Sequence, residues 1–217
     1  MYDILEDFLS RERFKSSKRG ASLAQWHVEK TLNFRNEHLE EKQSIARYAM
    51  QMIEGNHSLI LDNGTTTLAT CKYLNTMPSM DIFTTSLDIT NHLNGDLHQV
   101  FLTGGRKREK NMAMIGHWTQ QILKSIHVDV CLLGTTGILD ANGPTSHSYQ
   151  ELTIKQTIME QSDLVYLLAD SSKFQEKGLH EYAKWSNIDA IITDQQLPSE
   201  IYQKLVQKVP IYIVGDI

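Results

Sequence analysis

The chain has 217 residues, of which 41% are hydrophobic and 22% charged, with a formal net charge of −5. That length holds one large domain, or one domain with an accessory piece, in an ordinary soluble composition. The acidic balance argues against the segment being a nucleic-acid surface by itself, and no apolar run approaches the roughly 18 residues of a membrane span.

Residues 1–32 stand apart as an N-terminal segment. Ile4, Leu5, Phe8 and Leu9 share one side of a candidate helix, and Arg11, Arg13, Lys15, Lys18 and Arg19 follow as a basic cluster that reads as a solvated tail. No signal-peptide core precedes Lys15. Leu39 to Ile53 then reads as a helix, because Ile45, Ala49 and Ile53 recur at i, i+4 and i+8. A buried strand, Leu59–Leu61, leads into Asp62-Asn63-Gly64-Thr65-Thr66-Thr67 and a helix through Leu68, Cys71 and Leu74.

That corner joins a strand to a helix start. Unpaired backbone N–H groups, the positive end of the helix dipole and three hydroxyls suit an anion, above all a phosphate. Asn63 and Thr65 equally suit a plain helix cap. Gly64 is expected at a positive φ and to permit a close approach. No lysine follows the glycine as in a P-loop, so the cation has to come from elsewhere.

Further along, Asp81 to Ser86 is a strand ending in hydroxyls, with Thr85 and Ser86 at its tip. Gln99 to Leu102 is another, ending in Thr103, Gly104, Gly105, Arg106 and Lys107. Met114 to Ile126 has helical period, with Ile115, Trp118, Ile122 and Ile126 on one face. Val128 to Leu133 is a strand ending in Gly134, Thr135, Thr136 and Gly137, and a helix runs over Tyr149–Gln161. Leu164 to Ala169 ends in Asp170, Ser171, Ser172 and Lys173. Ile188 to Ile192 ends in Thr193-Asp194, a helix begins at Ser199, and Ile211 to Val214 is the last strand.

Near-continuous apolar strands alternating with helices predict an α/β fold, a mostly parallel sheet covered on both faces. Ligands of such sheets bind at the carboxyl ends of the strands, so the polar turns converge on one rim. Lys173 is the best candidate for the missing cation, with Arg106 and Lys107 second. Of the rim carboxylates Asp62, Asp170 and Asp194, Asp62 sits nearest the anion and is expected to turn toward a sugar hydroxyl or a backbone N–H. Glu151 and His147 are weaker candidates. The histidines have no metal-binding spacing, so neither metal nor cofactor is expected. Cys71 and Cys131 read as reduced core residues of a cytoplasmic protein.

Six motifs in order carry a resemblance: Asp-Asn-Gly-Thr-Thr-Thr at 62–67, Thr-Thr-Ser at 84–86, Thr-Gly-Gly at 103–105, Gly-Thr-Thr-Gly-Ile at 134–138, Ala-Asp-Ser-Ser-Lys-Phe at 169–174 and Ile-Asp-Ala-Ile-Ile-Thr-Asp at 188–194. Together they resemble the C-terminal sensor domain of DeoR-type bacterial transcriptional regulators, over residues 33–217. The resemblance implies a fold like ribose-5-phosphate isomerase and glucosamine-6-phosphate deaminase. It also implies a phosphorylated sugar as effector, held at 64–67 with Lys173 facing it, and a repressor of sugar-metabolism genes. Thr85 departs from the usual Asn of the family. Such regulators carry a winged helix-turn-helix of roughly 50–60 residues, more than precedes the sensor here, so DNA is expected to be engaged only through a head that is incomplete in this chain. Lys18 to Ala21 looks like the end of its wing. A homo-oligomer is expected, since C₂ assembly is the commonest.

An aldose–ketose phosphate isomerase is the alternative. The isomerases resembled carry an Asp-Glu pair where this chain has Thr135-Thr136, and a helical Glu where it has Lys155. With the proton-transfer groups missing, the sequence points to a sensor and not an enzyme.

Overall fold

Seven apolar runs pair into one fully parallel sheet: β1 (Ser58–Leu61), β2 (Asp81–Thr84), β3 (Gln99–Leu102), β6 (Val128–Gly134), β8 (Ser162–Leu168), β10 (Ala190–Asp194) and β11 (Ile211–Val214), in the order β11-β10-β8-β6-β1-β2-β3. This is a computed structural model that describes residues 37–138 and 142–215. The segment expected over 1–32 lies outside the described residues.

Both faces of the sheet are covered, as near-continuous apolar strands require. Ile60, Cys131, Leu133, Val165 and Leu167 point to one face, against Ile154 and Ile158 of α6 (Tyr149–Glu160) and Leu205 of α7 (Ser199–Leu205). Leu59, Leu61, Val130, Leu132 and Ile192 point to the other, against Ile45, Ala49 and Ile53, where α1 (Leu39–Met52) packs. Cys71 and Leu74 of α3 (Cys71–Leu74), which follows α2 (Thr65–Ala69), complete that layer with Ile89 of α4 (Leu87–His92). Both cysteines are free and buried, and burial pushes their thiols up to about 12.

The chain builds outward from β1 to β2 and β3 on one side, and from β6 to β8, β10 and β11 on the other. The direction switches between β1 and β6, and the carboxyl ends of two strands at such a switch leave a crevice between them. Leu61 pairs with Leu132, and the Asp62 N–H donates to the Leu132 carbonyl at 3.1 Å. The turns after β1 and β6 therefore open side by side.

One expectation is corrected. Residues 114–126 are not one helix. β4 (Arg106–Arg108) and β5 (Ala113–Ile115) form an antiparallel hairpin, Gly116 turns the chain at φ 101°, and only His117–Leu123 is helical, as α5. Ile115 is buried within β5, while Trp118 and Ile122 on α5 are 74% and 42% exposed. The helical period was fortuitous, because the strand residue Ile115 and the helix residues 118 and 122 belong to different elements. A second short pair, β7 (Thr145–Ser146) with β9 (His180–Glu181), straps the segment after β6 to the one after β8.

Candidate functional site

A cavity of about 170 Å³ opens at the carboxyl ends of β1, β6 and β8. Asp62, Asn63, Gly64, Thr65 and Thr66 line it from the corner after β1, and Gly134 and Thr135 from the end of β6. Asp170 and Lys173 come from the turn after β8. Other candidates lie outside that lining. Thr67 spends its hydroxyl on backbone, within 2.7 Å of the Asp62 and Gly64 carbonyls. Ser86 caps α4 by accepting the Ile89 N–H at 3.3 Å. Thr85 is fully buried under the hairpin. Gly104 and Gly105, both at positive φ, turn the chain from β3 into β4, where Arg106 reaches Gln150 at 3.1 Å. Gly137 packs against Glu176.

The corner has the expected strand–turn–helix form. The first helical bond of α2 runs from the Leu68 N–H to the Gly64 carbonyl at 2.9 Å, so the N–H groups of 65–67 have no acceptor within the helix. Gly64, however, is extended at φ −79°, ψ 159°. Its glycine reflects closeness, not a left-handed backbone: an added Cβ would meet Thr67 Oγ1 at 3.2 Å and the Gly134 Cα at 3.7 Å.

Asp62 turns away from the corner. Its Oδ2 accepts the Gly134 N–H at 3.0 Å and pairs with the Lys155 ammonium, which also donates to the Gly134 carbonyl at 2.9 Å. The sequence marks Lys155 only as standing where the isomerases carry a Glu; its partner lies 93 residues earlier, beyond any spacing argument. Asp170 behaves differently. Its Oδ1 accepts the Ser172 N–H at 3.2 Å, while Oδ2 is buried without a hydrogen-bond partner among the described residues. Thr135 orders its own turn, its hydroxyl lying 3.0 Å from both the Gly137 and Thr145 carbonyls. Lys173 stands at the mouth, 3.7 Å from Glu176.

Further walls come from distant segments. Lys42 reaches in from the first turn of α1, Asn111 from the β4–β5 turn, and Ser146, His147 and Glu151 from β7 and the start of α6. Glu151 is buried, bonded to Asn111, and approached by Arg108 at 3.5 Å and by the Ser146 hydroxyl at 3.4 Å. Burial pushes its carboxyl above the usual range, against the lowering pull of Lys155. A carboxyl whose pKa is raised on folding takes up a proton between its unfolded and folded values, so that contribution to stability is lost as pH rises through this window. Glu151→Gln should therefore flatten the fall in unfolding free energy, followed by urea titration from about pH 4 upward; an unchanged slope would contradict the assignment. Among the described residues no group of His, Cys, Asp and Glu is placed to hold a metal ion, and no helix is long and apolar enough to cross a membrane.

The arrangement combines cations, a helix start and buried carboxylates in one small cavity. Comparison with known proteins agrees with the sequence motifs. The chain is similar to the HTH-type transcriptional regulator IolR of Bacillus subtilis, at 29% identity over 94% of this chain and 85% of that one. It is similar to the glycerol-3-phosphate regulon repressor of Escherichia coli at 30% identity, over 83% of this chain and 70% of the relative. Two further curated relatives are spanned over only 66% and 65% of their own length. Among solved structures, ribose 5-phosphate isomerase A of Neisseria gonorrhoeae aligns at 15% identity and a TM-score of 0.40, over 61% of this chain and 52% of that one. The family model of the DeoR C-terminal sensor domain matches residues 37–195, and the chain belongs to that family.

Proposed function

We propose that the cavity binds a phosphorylated sugar and that the chain is the effector-sensing part of a transcriptional repressor of sugar-metabolism genes. The supporting observation is the pairing of opposite demands in one cavity. The α2 start, Thr65, Thr66 and Lys173 call for an anion. The buried Asp170 Oδ2, without a partner among the described residues, calls for a hydrogen-bond donor. A phosphate ester of a polyol brings both. The repressor reading draws on the relatives' names, and it places the protein in the cytoplasm, as a homo-oligomer that meets DNA through a helix-turn-helix head. By itself the chain is expected not to bind DNA specifically, given its net charge of −5.

Titration calorimetry against sugars and their phosphate esters tests the reading. The ester should bind far more tightly than the free sugar. Lys173→Ala and Thr66→Ala should each weaken ester binding by about 1.5–3 kcal/mol, the range for hydrogen bonds to charged groups, and leave free-sugar affinity nearly unchanged. Equal affinity for ester and free sugar, or wild-type binding by both variants, would place the site elsewhere.

One observation favours an isomerase as the second reading: Glu151 is a buried carboxylate with a raised pKa at the cavity wall, the profile of a proton-transfer group. Against it, Lys155 occupies the position where the isomerases carry a helical Glu, and its ammonium is engaged by Asp62. Incubating the ester with the protein and following aldose–ketose interconversion separates the two, since the sensor binds without turnover.

A further inference from the structure

We infer that the effector acts on the rest of the chain through the entry turn of the sensor: an anion in the cavity draws the Lys42 ammonium off the Glu37 carbonyl and loosens the turn at Glu37–His38. This rests on the reading of the cavity as a phosphosugar site, and it names how that site is heard. Glu37, His38 and Lys42 line the same cavity as Thr65, Thr66 and Lys173. They are also the turn and first helical residues through which residues 1–36 join the fold.

The turn is held against a backbone preference. His38 sits in the left-handed region at φ 53°, ψ 41°, which residues carrying a Cβ disfavour. Such a conformation persists only where its surroundings over-determine it. Lys42 supplies two of those restraints. Its N–H donates to the His38 carbonyl at 3.0 Å, and its Nζ donates to the Glu37 carbonyl at 2.5 Å. The lysine is only 5% exposed and lines the cavity. Downstream, Ile45, Ala46, Ala49 and Ile53 are wholly buried, which fixes the body of α1 against the sheet.

The soft joint therefore lies between the N-terminal segment and a rigid helix. A phosphate is a stronger partner for an ammonium than a neutral carbonyl is. An anion that binds the loosened turn more tightly than the latched one shifts the population toward the loosened turn.

Hydrogen–deuterium exchange on the full 217-residue chain tests this, with glucose 6-phosphate and inorganic phosphate as probes. Without any ligand, Lys42→Met should speed exchange of the amides at 37–43 by about tenfold or more, the loss of at least one net hydrogen bond, and leave β6 unchanged. Lys42→Gln serves if the methionine variant does not fold. In the wild type a saturating probe should slow exchange at 62–67 and speed it at 37–43, and the latter response should vanish in the Lys42 variant. If the probe slows 62–67 and leaves 37–43 unchanged or slower, the inference is overturned while the site stands. Wild-type exchange at 37–43 in ligand-free Lys42→Met also overturns it. No effect of either probe at 62–67 overturns the phosphosugar reading and the coupling built on it.

Discussion

Replacing Lys155 by methionine is expected to destabilise the protein by about 3–5 kcal/mol, the cost of breaking a buried ion pair from one side. The side chains of Lys155 and Asp62 are 5% and 2% exposed. Asp62 would keep the Gly134 N–H and lose its cation, and a buried carboxylate without a paired charge is costly. The loss would spread. The Lys155 ammonium also holds the Gly134 carbonyl at 2.9 Å, which takes the Tyr182 hydroxyl at 2.8 Å, and it lies 5.1 Å from the centre of the Tyr182 ring. Methionine conserves the volume, so the change reports on charge more than on a void. Urea unfolding should show a lower midpoint at unchanged slope. Adding Asp62→Leu to the variant should recover much of the loss, because a buried pair exchanged whole for apolar side chains is often neutral. A drop below about 1 kcal/mol in the single variant would mean that the pair behaves as a surface contact. The pair pins the end of β1 to the end of β6, and so fixes the two turns between which the cavity opens.

Most of that geometry was legible in the sequence only where it was local. The seven sheet strands were readable in order because they are short apolar runs, five of them closed by a polar turn, as Leu59–Leu61 and Val128–Leu133 show. The placement of Asp62, Gly64, Thr65 and Lys173 around one cavity follows from the strand-end rule applied to those turns. The β4–β5 hairpin was hidden because Arg106–Arg108 carries no apolar signal, and because Ile115 falls in phase with the helix that follows. Lys42, Asn111 and Ser146 reach the cavity from an unrelated helix, a hairpin turn and a strap. Only tertiary packing brings them there. Gly64 shows the limit of residue type as a signal. A glycine permits a positive φ and also permits a close approach, and here the closeness of the Thr67 hydroxyl, 3.2 Å from an added Cβ, explains it.

Gly137 sharpens that distinction, and Gly137→Ala is the second large effect expected. A Cβ there would lie 2.2 Å from the Glu176 carbonyl oxygen, 2.3 Å from its carbon and 2.7 Å from the Lys177 nitrogen. All three are backbone atoms, so no side chain can swing aside, and the two segments have to part. They are tied at several points. The Ile138 N–H donates to the Lys173 carbonyl at 2.8 Å, and the Gly178 N–H to the Thr145 hydroxyl, which itself donates to the Gly137 carbonyl at 2.5 Å. Overpacking of this kind costs about 1–3 kcal/mol. The displaced segment carries Lys173 and Glu176, both in the cavity wall. The variant should therefore lose stability by urea titration and phosphosugar affinity by calorimetry together, though Gly137 lies outside the cavity lining. Gly95→Ala is the control: a Cβ there meets nothing within 4 Å, so both measurements should stay within about 0.5 kcal/mol of wild type. If Gly137→Ala lost stability but bound the ester normally, the turn after β8 would yield without moving Lys173. The cation would then be positioned by its own 3₁₀ turn, Ser171–Gln175, and not by the strap that crosses it.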